Sequence, residues 1–189
     1  MTDRRQILSV GAASVLAGAG LLACGAGQAQ TALPAELAPQ LQGGQWAGST
    51  RLRFFGFDVY DAKLWVAPGF RASNYALHAL ALELTYLRAL AGRDIAARSL
   101  QEMRRLDNIT PAQAQAWLAA LESALPDVKA GDRLTGLHHP AQGAHFWFNG
   151  EPRAWVKDPA FSRLFFGIWL AESTSQPALR AELLARATP

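Results

Sequence analysis

Three arginines and two tyrosines are the residues best suited to bind an anionic group. Arg51 and Arg53 precede Tyr60 on one apolar segment, and Tyr86 precedes Arg88 on the next. A guanidinium offers fork-shaped donors to a carboxylate, and a phenol adds one more hydrogen bond. Meeting at one end of a sheet beside walls of Phe and Leu, these five side chains would suit a fatty acid or a similar amphipathic acid. The alternative is that the arginines are solvated strand ends and the tyrosines core residues with satisfied hydroxyls.

Three histidines flank the turn at residues 140–143, and in principle could approach a metal ion. Adjacent strand residues point to opposite faces, so only one of His138 and His139 can join His145. We therefore predict exposed turn histidines and no metal site.

The carboxylates and hydroxyls suggest structural roles rather than catalysis. Asp127 and Asp132 follow a helix exit and a Gly-Asp turn, where such residues bond local backbone. Glu83 lies within a strand, and its burial requires an Arg partner. Ser173-Thr174-Ser175 is typical of a helix-capping loop.

Apolar periodicity predicts the strands that position these residues. Residues 51–66 form a strand pair or one bent strand, and apolar residues at both parities indicate a central strand. Residues 77–88 form a second strand, and 133–138 and 144–148 two more. Asn149-Gly150 predicts a type I′ turn into a further strand at 153–157.

Capping signals predict four helices. Asp94 caps the first, which ends near Leu106, and Thr110-Pro111 begins the second with a capping box. Asp158-Pro159 and Pro177 begin the last two. Strands and helices in this order predict an α+β fold with a mainly antiparallel sheet.

The first 29 residues have the features of an export signal. Arg4-Arg5 precede an apolar run, Ile7–Ala23, that is interrupted by Ser and Gly and falls short of the ~20 residues of a membrane span. The arginine pair resembles a twin-arginine signal, although a general secretory signal also fits. Both predict a periplasmic or otherwise exported protein.

Two processing sites compete at the end of this signal. Leu21-Leu22-Ala23-Cys24 resembles a lipobox, which would make Cys24 a lipid anchor, whereas Gly27-Gln28-Ala29 suits cleavage to a soluble protein. Because Cys24 is the only cysteine, disulfides and thiolate sites are excluded from the remainder. Residues 30–42 are predicted to form a connector, and 43–189 one domain.

Charge argues against a nucleic-acid partner. The formal net charge is +3, and no Lys/Arg run is long enough to follow a phosphate backbone.

Several motifs together resemble the bacterial, exported branch of the chalcone isomerase-like family. They are Phe57–Leu64, Leu82–Tyr86, Phe166–Leu170 and Pro177–Arg180, within a match from about residue 40 to the end. The resemblance implies an open-faced β-sandwich, in which a large antiparallel sheet is covered by a layer of helices. It also implies chemistry without a cofactor, since plant members cyclise a chalcone to a flavanone without one. Other members resemble fatty-acid-binding proteins.

The catalytic pattern of the plant enzymes is not retained. Phe55 lies where those enzymes carry a Thr that polarises the substrate ketone, and no Tyr is followed at the family's spacing by Asn. We therefore expect an exported, non-catalytic protein that binds a small amphipathic ligand such as a fatty acid. One alternative is a cofactor-independent isomerase of the intramolecular lyase type, acting on an enone-like substrate with Arg51 or Arg53 as electrophile and a tyrosine as proton donor. Another is a structural or partner-binding envelope protein.

Overall fold

The computed structural model describes residues 32–188. The predicted export signal and Cys24 lie outside the described residues. Six strands form one sheet in chain order, and each pairs antiparallel with the next. They are β1 (Gln45–Phe54), β2 (Phe57–Val66), β3 (Leu80–Tyr86), β4 (Arg133–His139), β5 (Gly143–Phe148) and β6 (Glu151–Val156).

Helices cover one face of this sheet, here called the inner face. A 3₁₀ helix (Ala72–Leu77) precedes β3, and two helices, α1 (Gly92–Leu106) and α2 (Pro111–Ala124), separate β3 from β4. Two more, α3 (Pro159–Leu170) and α4 (Pro177–Leu183), follow β6. Within residues 32–188, no helix combines the length and apolar character needed to cross a bilayer.

The predicted helix starts are confirmed for α2 and α3. Thr110 and Gln113 form a reciprocal capping box, and the Asp158 carboxylate accepts hydrogen bonds from two backbone N–H groups of the first turn of α3. The start predicted for α1 is wrong by three residues. That helix begins at Gly92, whose N–H donates to Asp127 Oδ1 at 2.8 Å, and Asp94 lies in the first turn.

The strand pair predicted over residues 51–66 is confirmed, with a two-residue turn at Phe55-Gly56. The central position predicted for it holds for β2, which pairs with β1 and β3, but not for β1, which is an edge strand. The odd-numbered residues of this hairpin are apolar for two separate reasons. Trp65 on β2 is buried on the outer face beneath residues 32–42, whereas Phe55 and Phe57 at the turn are exposed.

Both faces of the sheet are therefore packed. The main core lies between the inner face and the helices, and is rich in aromatic side chains of β5 and α3. A smaller core on the outer face consists of Leu37, Leu41, Trp65, Ala81, Leu137 and Trp147. Leu37 and Leu41 belong to the stretch assigned to a connector, so part of it packs onto the sheet.

Candidate functional site

A cavity of about 320 Å³ lies between the inner face of the sheet and helices α1 and α3. This volume is within the range of ~300–1,000 Å³ typical of small-molecule sites. Alternation along β1 to β4 directs Leu and Tyr side chains into it, and the helices contribute their apolar stripes. The apolar walls are Leu52, Phe54, Val59, Leu84, Leu90, Ile95, Leu125, Leu134, Phe165, Ile168 and Leu179.

Two phenols lie on the strand side of this cavity. Trp169 Nε1–H donates to the Tyr60 hydroxyl at 2.9 Å, whereas the Tyr86 hydroxyl has no hydrogen-bond partner among residues 32–188. Burial, with a contribution from Glu102, raises the pKa of Tyr60 to about 12. Burial, together with Tyr60, also raises the pKa of Tyr86. Both phenols are therefore protonated near neutral pH and can donate a hydrogen bond.

Arg88 lies at the rim of the cavity, just beyond the end of β3. Its guanidinium carbon is 5.4 Å from the ring centroid of Phe57, which is a cation–π distance. Within the described part of the chain, Arg88 takes part in no ion pair. Its five N–H donors are thus available to an anion.

A carboxylate is buried on the helix side. Glu102 Oε1 lies 2.7 Å from Arg98 Nη2, and Ser175 Oγ donates to Glu102 Oε2 at 2.7 Å. This cluster was not among the site residues predicted from the sequence. Its signal was present, since Ile95, Arg98, Ser99 and Glu102 follow the i, i+3, i+4, i+7 spacing of one helix face. A Glu on that face requires a buried partner.

Of the five predicted ligand-binding residues, Tyr60, Tyr86 and Arg88 line the cavity, and Arg51 and Arg53 do not. Leu52 points into the cavity, so alternation along β1 sends its two neighbours away from it. For all five residues, the role in ligand binding stays a prediction.

Arg51 and Arg53 pair with carboxylates of β2. Arg51 contacts both Asp61 Oδ1 (2.6 Å) and Oδ2 (2.8 Å), and Arg53 Nε lies 2.7 Å from Asp58 Oδ1. The Arg53 guanidinium, with Arg51, lowers the pKa of the Asp58 carboxyl. As an electrophile for an isomerase, either arginine would have to leave these partners and reach the cavity.

The prediction of exposed turn histidines is wrong for His138. Its even position in β4 turns it to the inner face, where it is 1% exposed. His138 Nδ1 lies 2.6 Å from Ser162 Oγ, and Nε2 lies 3.0 Å from the Ala76 carbonyl oxygen. His145 lies on the outer face, stacked on Trp155 at 4.5 Å. Within residues 32–188, no group of three or more His, Cys, Asp or Glu side chains is arranged to hold a metal ion.

The remaining polar residues stabilise the fold. Asp132 accepts from the N–H of Lys129 at 2.8 Å, as predicted, whereas Asp127 accepts from the distant Gly92 rather than local backbone. Glu83 has the Arg partner that its burial was predicted to require, since Arg133 Nη1 lies 2.8 Å from Glu83 Oε2. Ser173-Thr174-Ser175 gives no side-chain cap to α4, whose N-cap is Gln176, so this part of the capping prediction is wrong. The Thr174 hydroxyl instead accepts from the N–H of Gln176 at 3.2 Å in a local turn and donates to the Ile168 carbonyl oxygen at 2.5 Å, near the end of α3.

The sequence and the fold of this chain are each similar to those of known proteins. A family model described as chalcone isomerase-like matches residues 40–185. An uncharacterized protein of Haemophilus influenzae is 26% identical over 139 residues, which are 74% of this chain and 67% of that protein. The crystal structure of a fatty-acid binding protein of Arabidopsis thaliana is similar with a TM-score of 0.61 at 12% identity, over 76% of this chain and 87% of that one. The predicted open, helix-covered antiparallel sheet is thereby confirmed, and the chain belongs to the chalcone isomerase-like family.

Proposed function

We propose that the cavity binds a small amphipathic acid, such as a fatty acid, without catalysing a reaction on it. The observation that carries this proposal is a large apolar cavity bordered by two unengaged donors, the Arg88 guanidinium and the Tyr86 hydroxyl. Apolar walls stabilise an alkyl chain, and the donors stabilise a carboxylate at the rim, where part of its hydration is retained.

The charges around the cavity favour one orientation of the ligand. Glu102 is buried and already holds the Arg98 guanidinium and the Ser175 hydroxyl, so this cluster leaves no free donor for a carboxylate placed near α1. The head group therefore lies at Arg88 and Tyr86, and the chain runs along the Leu and Phe walls.

Two further observations support the proposal. A protein of the same fold is named as a fatty-acid binding protein. In addition, Glu102, the buried carboxylate on the cavity, is paired with Arg98 and accepts a hydrogen bond from Ser175, which is unfavourable for a general base.

Displacement of a fluorescent fatty-acid analogue by palmitate or oleate tests the proposal. Arg88→Gln should weaken binding by about tenfold or more, because a charge-assisted hydrogen bond is lost. Arg93→Gln is the matched control, since Arg93 is an exposed arginine on the same segment that does not line the cavity. Equal affinity of the two variants would contradict the head-group assignment.

A second pair of variants tests the cavity itself. Ile95→Trp fills the apolar volume and should abolish binding, whereas Ala97→Trp places the same ring on the exposed side of α1 and should not. Unchanged binding by Ile95→Trp would contradict occupancy of this cavity.

A cofactor-independent isomerase is the second candidate, favoured by the protonated phenols and a cation at one cavity. Arg88 would be the electrophile and Tyr86 the proton donor. Loss of enone absorbance on incubation with a chalcone, in the wild type and not in Tyr86→Phe, would replace the binding proposal with this one.

We also propose export to the periplasm, supported by the signal-like residues 1–29. Cell fractionation and the mass of the mature protein test this. An acylated N-terminal Cys24 would indicate a lipid anchor, an N-terminus at Gln30 a soluble protein, and an intact cytoplasmic chain would contradict export.

A further inference from the structure

The tip of the β1–β2 hairpin exposes three phenylalanines beside the cavity. Phe54, Phe55 and Phe57 are 51%, 85% and 63% exposed, and Phe54 also lines the cavity. An apolar cluster at the end of a hairpin is unusual, because such turns are normally built from Gly, Asn and Asp.

The backbone conformation of this turn is unfavourable for a Phe at position 55, so Phe55 does not stabilise the hairpin. Phe55 and Gly56 have φ of 47° and 81°, so both central residues are left-handed, as a type I′ turn requires. A bulky side chain rarely adopts that conformation. The same chain uses the favoured pair, Asn149-Gly150, at its other type I′ turn. A strained and exposed Phe in place of Asn therefore points to a function for the ring.

Arginines surround the three rings. The Arg88 guanidinium carbon lies 5.4 Å from the Phe57 centroid, and that of Arg98 lies 5.9 Å from the Phe54 centroid. Ion pairs neutralise Arg51 and Arg53 with Asp58 and Asp61, Arg98 with Glu102, and Arg93 with Asp94. Among these arginines, Arg88 alone has no acidic partner in the described chain, so its positive charge is not balanced by an ion pair.

We propose that the Phe54–Phe57 tip inserts into the surface of an anionic lipid bilayer. Aromatic rings enter the boundary between head groups and acyl chains, while arginine heads remain at the phosphates. A bilayer fits better than a protein partner, because three rings of about 150–250 Å² each supply less than the ~800 Å² per partner of a standard protein interface. The cavity rim at Phe54 would then face the membrane, and an apolar ligand could pass between them without crossing water.

Vesicle flotation with the full chain tests this proposal without any cavity ligand. Phe55→Asn and Phe57→Ser should each reduce binding to phosphatidylcholine–phosphatidylglycerol vesicles by about tenfold or more, because apolar burial is lost. Leu77→Ser is the matched control, since Leu77 is 71% exposed and does not line the cavity. Removing phosphatidylglycerol should weaken wild-type binding by about fivefold, in line with the one unbalanced charge of Arg88. Binding that is equal in all variants would overturn the proposal.

Phe55→Asn also separates insertion from folding. Asn-Gly suits the turn, so this variant should unfold at the same or a higher temperature while binding vesicles less. A lower unfolding temperature would mean that Phe55 stabilises the hairpin, which would overturn the inference from strain.

A local probe measures insertion independently of residues 1–31. In a Cys24→Ala background, an environment-sensitive dye on Phe55→Cys should shift to shorter wavelength on vesicle addition, and the same dye on Leu77→Cys should not. Absence of the shift at position 55 would overturn the proposal. Self-association without lipid that Phe55→Asn abolishes would also overturn it, and would assign the tip to contact between copies of the chain.

Discussion

At the residue scale, the cavity is defined by which polar groups already have partners. Tyr60 is engaged by Trp169 and Glu102 by Arg98, whereas the Tyr86 hydroxyl and Arg88 have no such protein partners in the described chain. Tyr86 lines the cavity, where a ligand or water can complete the hydrogen bonding of its hydroxyl. The unengaged pair is therefore where we expect an anion to bind.

His138 and Ser162 connect three elements away from the cavity. The Ala76 carbonyl can only accept, so His138 Nε2 donates to it, and His138 Nδ1 lies 2.6 Å from the Ser162 hydroxyl oxygen. Ser162 Oγ also lies 3.0 Å from the Gly143 carbonyl oxygen. Burial lowers the pKa of His138, and burial with a contribution from His139 lowers the pKa of His145.

We predict that stability falls as the pH falls through the histidine range. Both pKa values are lowered in the folded state, so the unfolded chain binds more protons there, and the free energy of unfolding decreases below about pH 6.5. Urea unfolding between about pH 5 and 8 measures this slope. His138→Gln should reduce the slope, and His78→Gln, outside the core, should leave it unchanged. A slope that persists in His138→Gln at its full value would contradict the assignment.

At the element scale, residues 32–42 act as a cover for the outer face of the sheet. Leu37 and Leu41 are buried against Trp65 and Trp147. Arg133 Nη1 lies 2.5 Å from Glu36 Oε1 and 2.8 Å from Glu83 Oε2, so it joins this segment to the sheet. Removing any one of these half-buried charged groups would leave its partners without a counter-charge, which would destabilise the fold.

We predict that Leu37→Ala lowers the free energy of unfolding by about 2–4 kcal/mol, because a fully buried side chain is removed without collapse of the sheet behind it. Gln40→Ala, an exposed residue of the same segment, should change it by less than about 0.5 kcal/mol. Denaturant unfolding measures both. Equal effects would mean that the segment does not hold the outer face in solution.

At the scale of the whole molecule, the cavity interrupts an otherwise well-packed interior. An unfilled apolar volume destabilises a fold, and a ligand that enters it stabilises the folded state by mass action. The β1–β2 hairpin lines one side of this cavity and also carries the exposed Phe tip.

We predict that palmitate at about one hundred times its dissociation constant raises the free energy of unfolding by about 2.7 kcal/mol. Ile95→Trp, with the cavity filled, should lose this response while remaining folded. Thermal unfolding with and without ligand measures both. A response that survives in Ile95→Trp would indicate binding elsewhere.

Much of the fold could be predicted from the sequence, because its signals are local. The Thr110 capping box, the Asp158 cap and the Asn149-Gly150 turn depend on a few neighbouring residues, and alternation from Leu80 to Tyr86 depends on one strand. The α+β fold type followed from these signals. The family followed instead from the resemblance of several motifs, and the three cavity residues Tyr60, Tyr86 and Arg88 from the placing of Arg and Tyr along the strands.

Which side chains are paired, buried or exposed was decided only by the tertiary structure. These properties depend on which face of an element its neighbours cover. Arg51 and Arg53 resemble Arg88 in sequence, yet the pairing of β1 with β2 places carboxylates beside them. Trp65 and Phe57 share a parity, yet residues 32–42 cover only the first. His138 became buried because α3 brings Ser162 across the sheet, and Glu102 met Ser175 only once the chain after α3 had folded back onto α1. Such contacts join residues far apart in the chain, and no local pattern of residues encodes them.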